Sequence, residues 1–126
     1  MPSELSKIEP RPDWFAKSAD RAGSAASLQP VALQCLAALS QSTRLEAFRL
    51  LASAGADGMG AGTIAKILET RHNTLSTHLS ILQQSGLITS ERNGRNVTYF
   101  ATPGGLDALL LFLDRDCRGM MPSGEQ

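Results

Sequence analysis

Apolar residues recur at helical spacing in five stretches of this chain and alternate in two. Residues 1–29 show no sustained period and are rich in Ser, Ala and Pro with mixed charges. They read as a flexible arm, with Trp14 and Phe15 as its one large apolar pair. Pro30 suits the first turn of a helix, where its missing N–H costs nothing, and Val31, Cys35, Leu36 and Leu39 give that helix a buried face. A second helix follows, with Thr43 and Glu46 at capping-box spacing and Leu45, Phe48, Leu51 and Ala52 facing inward. Residues 55–62 (GADGMGAG) carry four glycines in eight positions, which makes continuous helix costly and predicts a loop.

The centre of the pattern spans residues 62–101. A short helix over residues 63–68 buries Ile64, Ile67 and Leu68, and Glu69-Thr70-Arg71 turns the chain. A longer helix over residues 72–85 places Leu75, Leu79 and Leu82 on one face, with Gly86 as a left-handed cap. Two alternating runs, residues 87–92 and 96–101, are separated by Asn93-Gly94, a short-range hairpin signal. Helix, turn, helix and hairpin in this order suit a winged helix-turn-helix, whose second helix can lie in the DNA major groove. Thr102-Pro103 then opens a last helix. Its stripe of Leu106, Leu109, Leu110 and Leu113 is widened by Leu111 and Phe112, so it calls for a second burial surface. A dimer interface shared with the first helix supplies one, and core packing alone is the plainer alternative. The fold class expected is mainly α with a small β-hairpin: a winged helix-turn-helix over residues 30–118, a homodimer through its first and last helices, with a flexible tail over residues 119–126.

Length and charge narrow this only a little. The 126 residues suit one domain with a modest core. Twelve basic residues balance twelve acidic ones, so global charge points to no partner. The distribution says more: residues 40–101 hold six basic residues (Arg44, Arg49, Lys66, Arg71, Arg92, Arg95) against four acidic ones (Glu46, Asp57, Glu69, Glu91). The first thirty residues lack the apolar run of a signal peptide, and the longest apolar run, residues 108–113, cannot span a bilayer. A cytoplasmic protein without a membrane partner is expected, with Cys35 and Cys117 as thiols. No paired carboxylates, nucleophile elbow or phosphate-binding glycine motif stands out, and there are two histidines; an enzyme is not expected.

If Leu75, Leu79 and Leu82 are buried, the helical period turns Asn73, Ser76, Thr77, Ser80 and Gln83 outward, with Arg71 and His72 at the leading end. These short donors and acceptors suit base edges and phosphate oxygens. No acidic residue occurs from Arg71 to Thr89, whereas an idle surface helix is commonly rich in Glu and Lys. Arg92 and Arg95 flank the hairpin tip, placed to enter a minor groove or neutralise phosphate; as edge charges they would also discourage strand aggregation. The candidate DNA readers are thus Arg71, His72, Asn73, Ser76, Thr77, Ser80, Arg92 and Arg95. His78 points partly inward and reads as a hydrogen-bonded structural histidine. The rival reading is a winged-helix module that binds protein rather than double-stranded DNA.

Three segments, LAALSQSTRLEAFRLL, TRHNTLSTHLSILQQSGLI and the Arg-Asn-Gly-Arg hairpin followed by VTYF, resemble the ArsR family of winged-helix repressors over residues 33–118. The resemblance implies a homodimer joined by its first and last helices that binds operator DNA and releases it on sensing an inducer, with His72, Asn73, Ser76 and Thr77 as readers and Arg92 and Arg95 in the wing. It also bears on sensing. The family's Cys-x-Cys metal site falls on Gly60 and Gly62, and its Asp/His zinc site needs histidines that the last helix lacks, so zinc is not expected. Some arsenic-responsive members end similarly to Phe112-Leu113-Asp114-Arg115-Asp116-Cys117-Arg118-Gly119, but with a second cysteine where Arg118 stands. Cys117 and Cys35 together would suit a monomethylated trivalent arsenical, or a disulfide or persulfide switch. Both cysteines also lie on apolar stripes, where a thiol is usually a small buried hydrophobe.

Overall fold

The computed structural model describes residues 28–122. Expectations for residues 1–27 of the arm, including Trp14 and Phe15, and for residues 123–126 of the tail lie outside the described residues. Helix α1 spans Leu28–Leu39, α2 Ser42–Ala54, α3 Ala61–Leu68, α4 His72–Gln84 and α5 Pro103–Phe112. A three-stranded antiparallel sheet is formed by β1 (Met59–Gly60), β2 (Ile88–Asn93) and β3 (Asn96–Ala101), in the order β1-β3-β2. Helix α5 runs on through a π-helical turn, Leu113–Cys117, and a 3-10 turn, Arg118–Met120.

The described part of α1 is already helical at Leu28, two residues before Pro30. Its buried residues are Leu28, Ala32, Cys35 and Ala38, with Val31 and Leu39 half-buried. Leu36, expected inside, is 45% exposed, because it lies at the edge of the arc that these positions define at 100° per residue. Ala32 and Ala38 let neighbouring helices come close where larger side chains would hold them apart. The start of α2 differs too. Gln41 is its N-cap, its side-chain oxygen accepting from the Arg44 backbone N–H at 2.9 Å, so Thr43 and Glu46 form no capping box. Ala47 and Leu51 are buried on α2, Phe48 is half-buried, and Leu45 and Ala52 face out.

The glycine-rich stretch is more ordered than a loop. Residues Gly55–Asp57 form a 3-10 turn, and Met59 and Gly60 pair with Tyr99 and Thr98. Gly58 makes this approach possible, at φ 63° with its backbone against Phe100 and the Tyr99 carbonyl. A two-residue strand has no alternation to detect, which is why sequence pattern misses β1. Helix α3 begins at Ala61 and buries Ile64 and Ala65, while Ile67 is 52% exposed. Its end is closed by Glu69 in the left-handed region, with the Thr70 N–H bonded to the Ala65 carbonyl.

Helix α4 buries Leu75, Leu79 and Leu82 as the period predicts. It ends in a Schellman motif: Leu87 N–H reaches the Leu82 carbonyl at 3.1 Å, Gly86 N–H reaches the Gln83 carbonyl at 3.1 Å, and Gly86 sits at φ 82°. The hairpin is in register from Ile88↔Ala101 to Asn93↔Asn96. Its two loop residues are therefore Gly94 and Arg95, one position beyond the expected Asn93-Gly94. Positive φ at Gly94 alone is the II′ pattern, which takes Gly first. The main core joins all five helices and the sheet through Cys35, Leu51, Ile64, Leu75, Leu79, Leu82, Leu87, Ile88 and Leu109, while Leu28, Ala108 and Leu111 form a smaller cluster between α1 and α5.

Candidate nucleic-acid interface

Burial of the leucine face decides what α4 shows to solvent. Asn73, Ser76, Thr77 and Ser80 are all exposed, as are His72 and Arg71 at the leading end. Asn73 turns its side-chain oxygen onto the Thr74 N–H at 2.8 Å, and Thr77 donates to the Asn73 carbonyl at 3.3 Å. The Ser76 and Ser80 hydroxyls lie further along the same face. His72 reaches back towards α3, where a Cβ on Gly62 would sit 3.9 Å from its Cε1.

The wing is tied to this helix by one side-chain bond, from Gln83 Nε2 to Ser90 Oγ at 3.1 Å. Successive strand residues face opposite sides, so Arg92 shares the Ser90 side of β2 and Glu91 points away from it. Arg95 sits in the loop at the tip. Both arginines are exposed. The fold thus brings the Arg71–Ser80 face and the wing arginines onto one connected unit, with the wing's one carboxylate turned to the other side of the strand.

The trailing end of α4 is built differently. Gly105 N–H donates to the Gly86 carbonyl at 2.9 Å, and a Cβ on Gly105 would lie 2.6 Å from the Ser85 carbonyl oxygen and 2.9 Å from Gly86. Cys35 Sγ lies 3.4 Å from the Ser85 carbonyl oxygen and 3.3 Å from that of Gly105, so one S–H is shared between the ends of two elements. Cys35 is wholly buried, and burial pushes its thiol pKa up. Cys117 is half-buried on the π turn. Since Cys35 touches Gly105, and Cys117 lies twelve residues further along a helical segment, the two thiols of one chain are separated by on the order of 15 Å. The structure does not bring Cys35 and Cys117 together within a chain. Arg118 is engaged by Asp114 at 3.3 Å, and among the described residues no three His, Cys, Asp or Glu side chains cluster as metal ligands.

Sequence reasoning missed the part played by Arg44. Its guanidinium meets His78, with Nη1 3.3 Å from Nδ1, while Nε donates to the Ala38 carbonyl at 2.7 Å. His78 is half-buried and partnered, as its inward position on the helical period suggests. No sequence signal links positions 44 and 78; only the packing of α2 on α4 does.

A helix-turn-helix domain model matches residues 39–91, the span from the end of α1 to β2. Among solved structures, an ArsR-like transcriptional regulator from Rhodococcus sp. RHA1 is 29% identical, with 71% of this chain and 82% of that one aligned at a TM-score of 0.63. The chain carries a helix-turn-helix domain and is similar in fold and sequence to an ArsR-like transcriptional regulator. Another structure similar to this chain is reduced HlyU from Vibrio cholerae N16961, 25% identical over 70% of this chain and 90% of that one, at a TM-score of 0.54. A third is Mb0332 from Mycobacterium bovis, a homodimeric winged helix-turn-helix DNA-binding domain. It is 23% identical over 89% of this chain and 90% of that one, and at a TM-score of 0.50 it shares the fold. No curated protein matches the chain. Among the described residues no helix is long and apolar enough to cross a membrane.

Proposed function

We propose that this protein is an ArsR-family regulator: a cytoplasmic, homodimeric transcriptional repressor, not an enzyme, that reads operator DNA with α4 and the wing. One observation carries the reading: the outer face of α4 is exposed, polar and free of carboxylates from its leading arginine to its last turn. Asn73, Ser76, Thr77 and Ser80 face base edges, with His72 at the leading end, while Arg71, Arg92 and Arg95 neutralise phosphates. The dimer is supported by Leu33 and Leu36 on α1 and Leu113 beyond α5, all exposed in the single chain, and by the likeness to a homodimeric domain of this fold.

The test is duplex binding as a function of salt. Each phosphate contact contributes a slope of about −0.9 to log K against log salt, so replacing Arg71, Arg92 and Arg95 by alanine in both protomers of the dimer flattens the slope by about 5.4 units. A dimer that binds no duplex at low salt makes the protein a protein-binding winged-helix module instead. For release, the half-buried Cys117 is the candidate thiol for a trivalent arsenical or an oxidant; Cys35, sealed between two carbonyls, could join it only by opening the core. Cys117→Ser leaves duplex affinity unchanged and abolishes release by phenylarsine oxide or peroxide. Normal release by that variant assigns induction to another ligand.

A further inference from the structure

We propose that Arg44 is a positioning residue for the DNA-reading helix, and that its bond to His78 makes sequence discrimination by this protein depend on pH. This rests on the DNA-binding reading of α4. Arg44 begins at the corner between α1 and α2 and spans three elements. Its Nε donates to the Ala38 carbonyl at 2.7 Å and its Nη2 to the Ala37 carbonyl at 3.4 Å. These carbonyls belong to the last turn of α1, where a cation is favoured by the helix dipole; that of Ala37 also accepts from the Ser40 N–H at 3.3 Å and the Ser40 hydroxyl at 2.7 Å. Its Nη1 meets His78 Nδ1 at 3.3 Å. A guanidinium is planar, so fixing two of its nitrogens on α1 fixes where the third can meet α4. His78 lies at the middle of α4, one and two residues from Thr77 and Ser76 on the exposed face. A contact there sets the rotation of the helix about its axis, which direct readout needs.

The chemistry of the pair defines its protonation state. Arginine can only donate, so Nδ1 must accept, and His78 is neutral with its proton on Nε2. A proton on Nδ1 removes the acceptor and sets two cations face to face. Burial, and then the Arg44 charge, hold the His78 pKa below its ordinary 6.5. The sign follows: the folded chain binds this proton less readily than the unfolded one, so the contact holds above about pH 6.5 and is lost as pH falls from there through the lower folded value. Other charges on the packed elements are Glu46 and Arg49 on α2, Lys66 on α3, Glu91 and Arg92 on β2 and His72 on α4 itself, with none on the described α1. Arg44 is the one whose field shifts His78. Arg44 also lines a groove of about 330 Å³ with Gln34, Ala37, Ile81, Gln84 and Ser85, which brings solvent to the clamp.

The experiment uses the full chain and two labelled duplexes, one selected from random-sequence DNA and one scrambled from it, with affinities measured at fixed salt at about pH 7.5 and about pH 5.5. At the higher pH, Arg44→Lys and His78→Leu lower the preference for the selected duplex about tenfold, the worth of one good base contact. They leave the scrambled duplex, held through phosphates, unchanged. Wild-type preference falls at the lower pH. In His78→Asn, whose Oδ1 can replace Nδ1 as acceptor and does not titrate, the preference stays near the wild-type value and flat with pH. A merely structural role would weaken both duplexes together and would not separate Asn from Leu. The proposal is overturned if folded Arg44→Lys and His78→Leu keep the wild-type preference, or if His78→Asn follows the wild-type pH profile. If Arg44→Lys does not fold, the Asn and Leu variants decide. A wild-type protein that binds neither duplex at low salt removes the DNA reading itself, and the proposal with it.

Discussion

The two ends of α4 solve opposite problems. At the leading end, Arg71, His72 and Asn73 are exposed, and the N-cap residue makes no side-chain capping bond. At the trailing end the chain is held by backbone: the Schellman closure, the Gly105-to-Gly86 bond and the buried Cys35 thiol between two carbonyls. Polar side chains with few obligations inside the molecule are free to bond elsewhere, whereas backbone groups in a core must find partners within it. The comparison teaches that this helix is anchored from behind and presents its chemistry ahead. Side chains can be exchanged at the leading end at little cost to the fold, and almost nothing can be exchanged at the other.

That division can be broken experimentally, and the largest effect is expected at the anchor. Leu82→Ala empties a fully buried position at the last turn of α4 and costs about 3 kcal/mol of unfolding free energy, measured by denaturant titration. Gly105→Ala puts a methyl group where backbone atoms of Ser85 and Gly86 already stand, and costs about 2 kcal/mol because α5 must shift from α4. The smallest effect is at the leading half, where its sign matters most. Ser76→Ala removes an exposed hydroxyl in favour of a better helix former. Stability rises by up to about 0.5 kcal/mol while affinity for a selected duplex falls by about 1 kcal/mol. Parallel loss of stability and affinity in Ser76→Ala would show that the two ends are not divided in this way.

The exposed face of α4, the candidate interface, was legible in the sequence because the helix declares which side it buries. Leucines at positions 75, 79 and 82 define a buried face, and the exposed positions follow by geometry from that face. The hairpin was legible within one residue, since a II′ loop starting at Gly94 and a loop at Asn93-Gly94 share the same glycine. The inward sides of α1 and α3 were less so. In each helix a leucine or isoleucine was expected inside, yet Leu36 and Ile67 are exposed while Ala38 and Ala65 are buried. Where two helices pack closely, the fit selects the small side chain over the more hydrophobic one.

What the sequence determined by itself was local: which stretches are helical, the helix-turn-helix-hairpin order, and the carboxylate-free face of α4. These depend on residues a few positions apart, and short-range sterics and periodicity express them directly. Tertiary structure alone decided the relations between distant positions. The pairing of Met59 and Gly60 with β3, the meeting of Arg44 with His78, and the placing of Cys35 against Ser85 and Gly105, far from Cys117, exist only after the elements pack. The reason is physical: a long-range contact is fixed by how closely two surfaces can approach, and that depends on every side chain between them rather than on the two residues that finally touch.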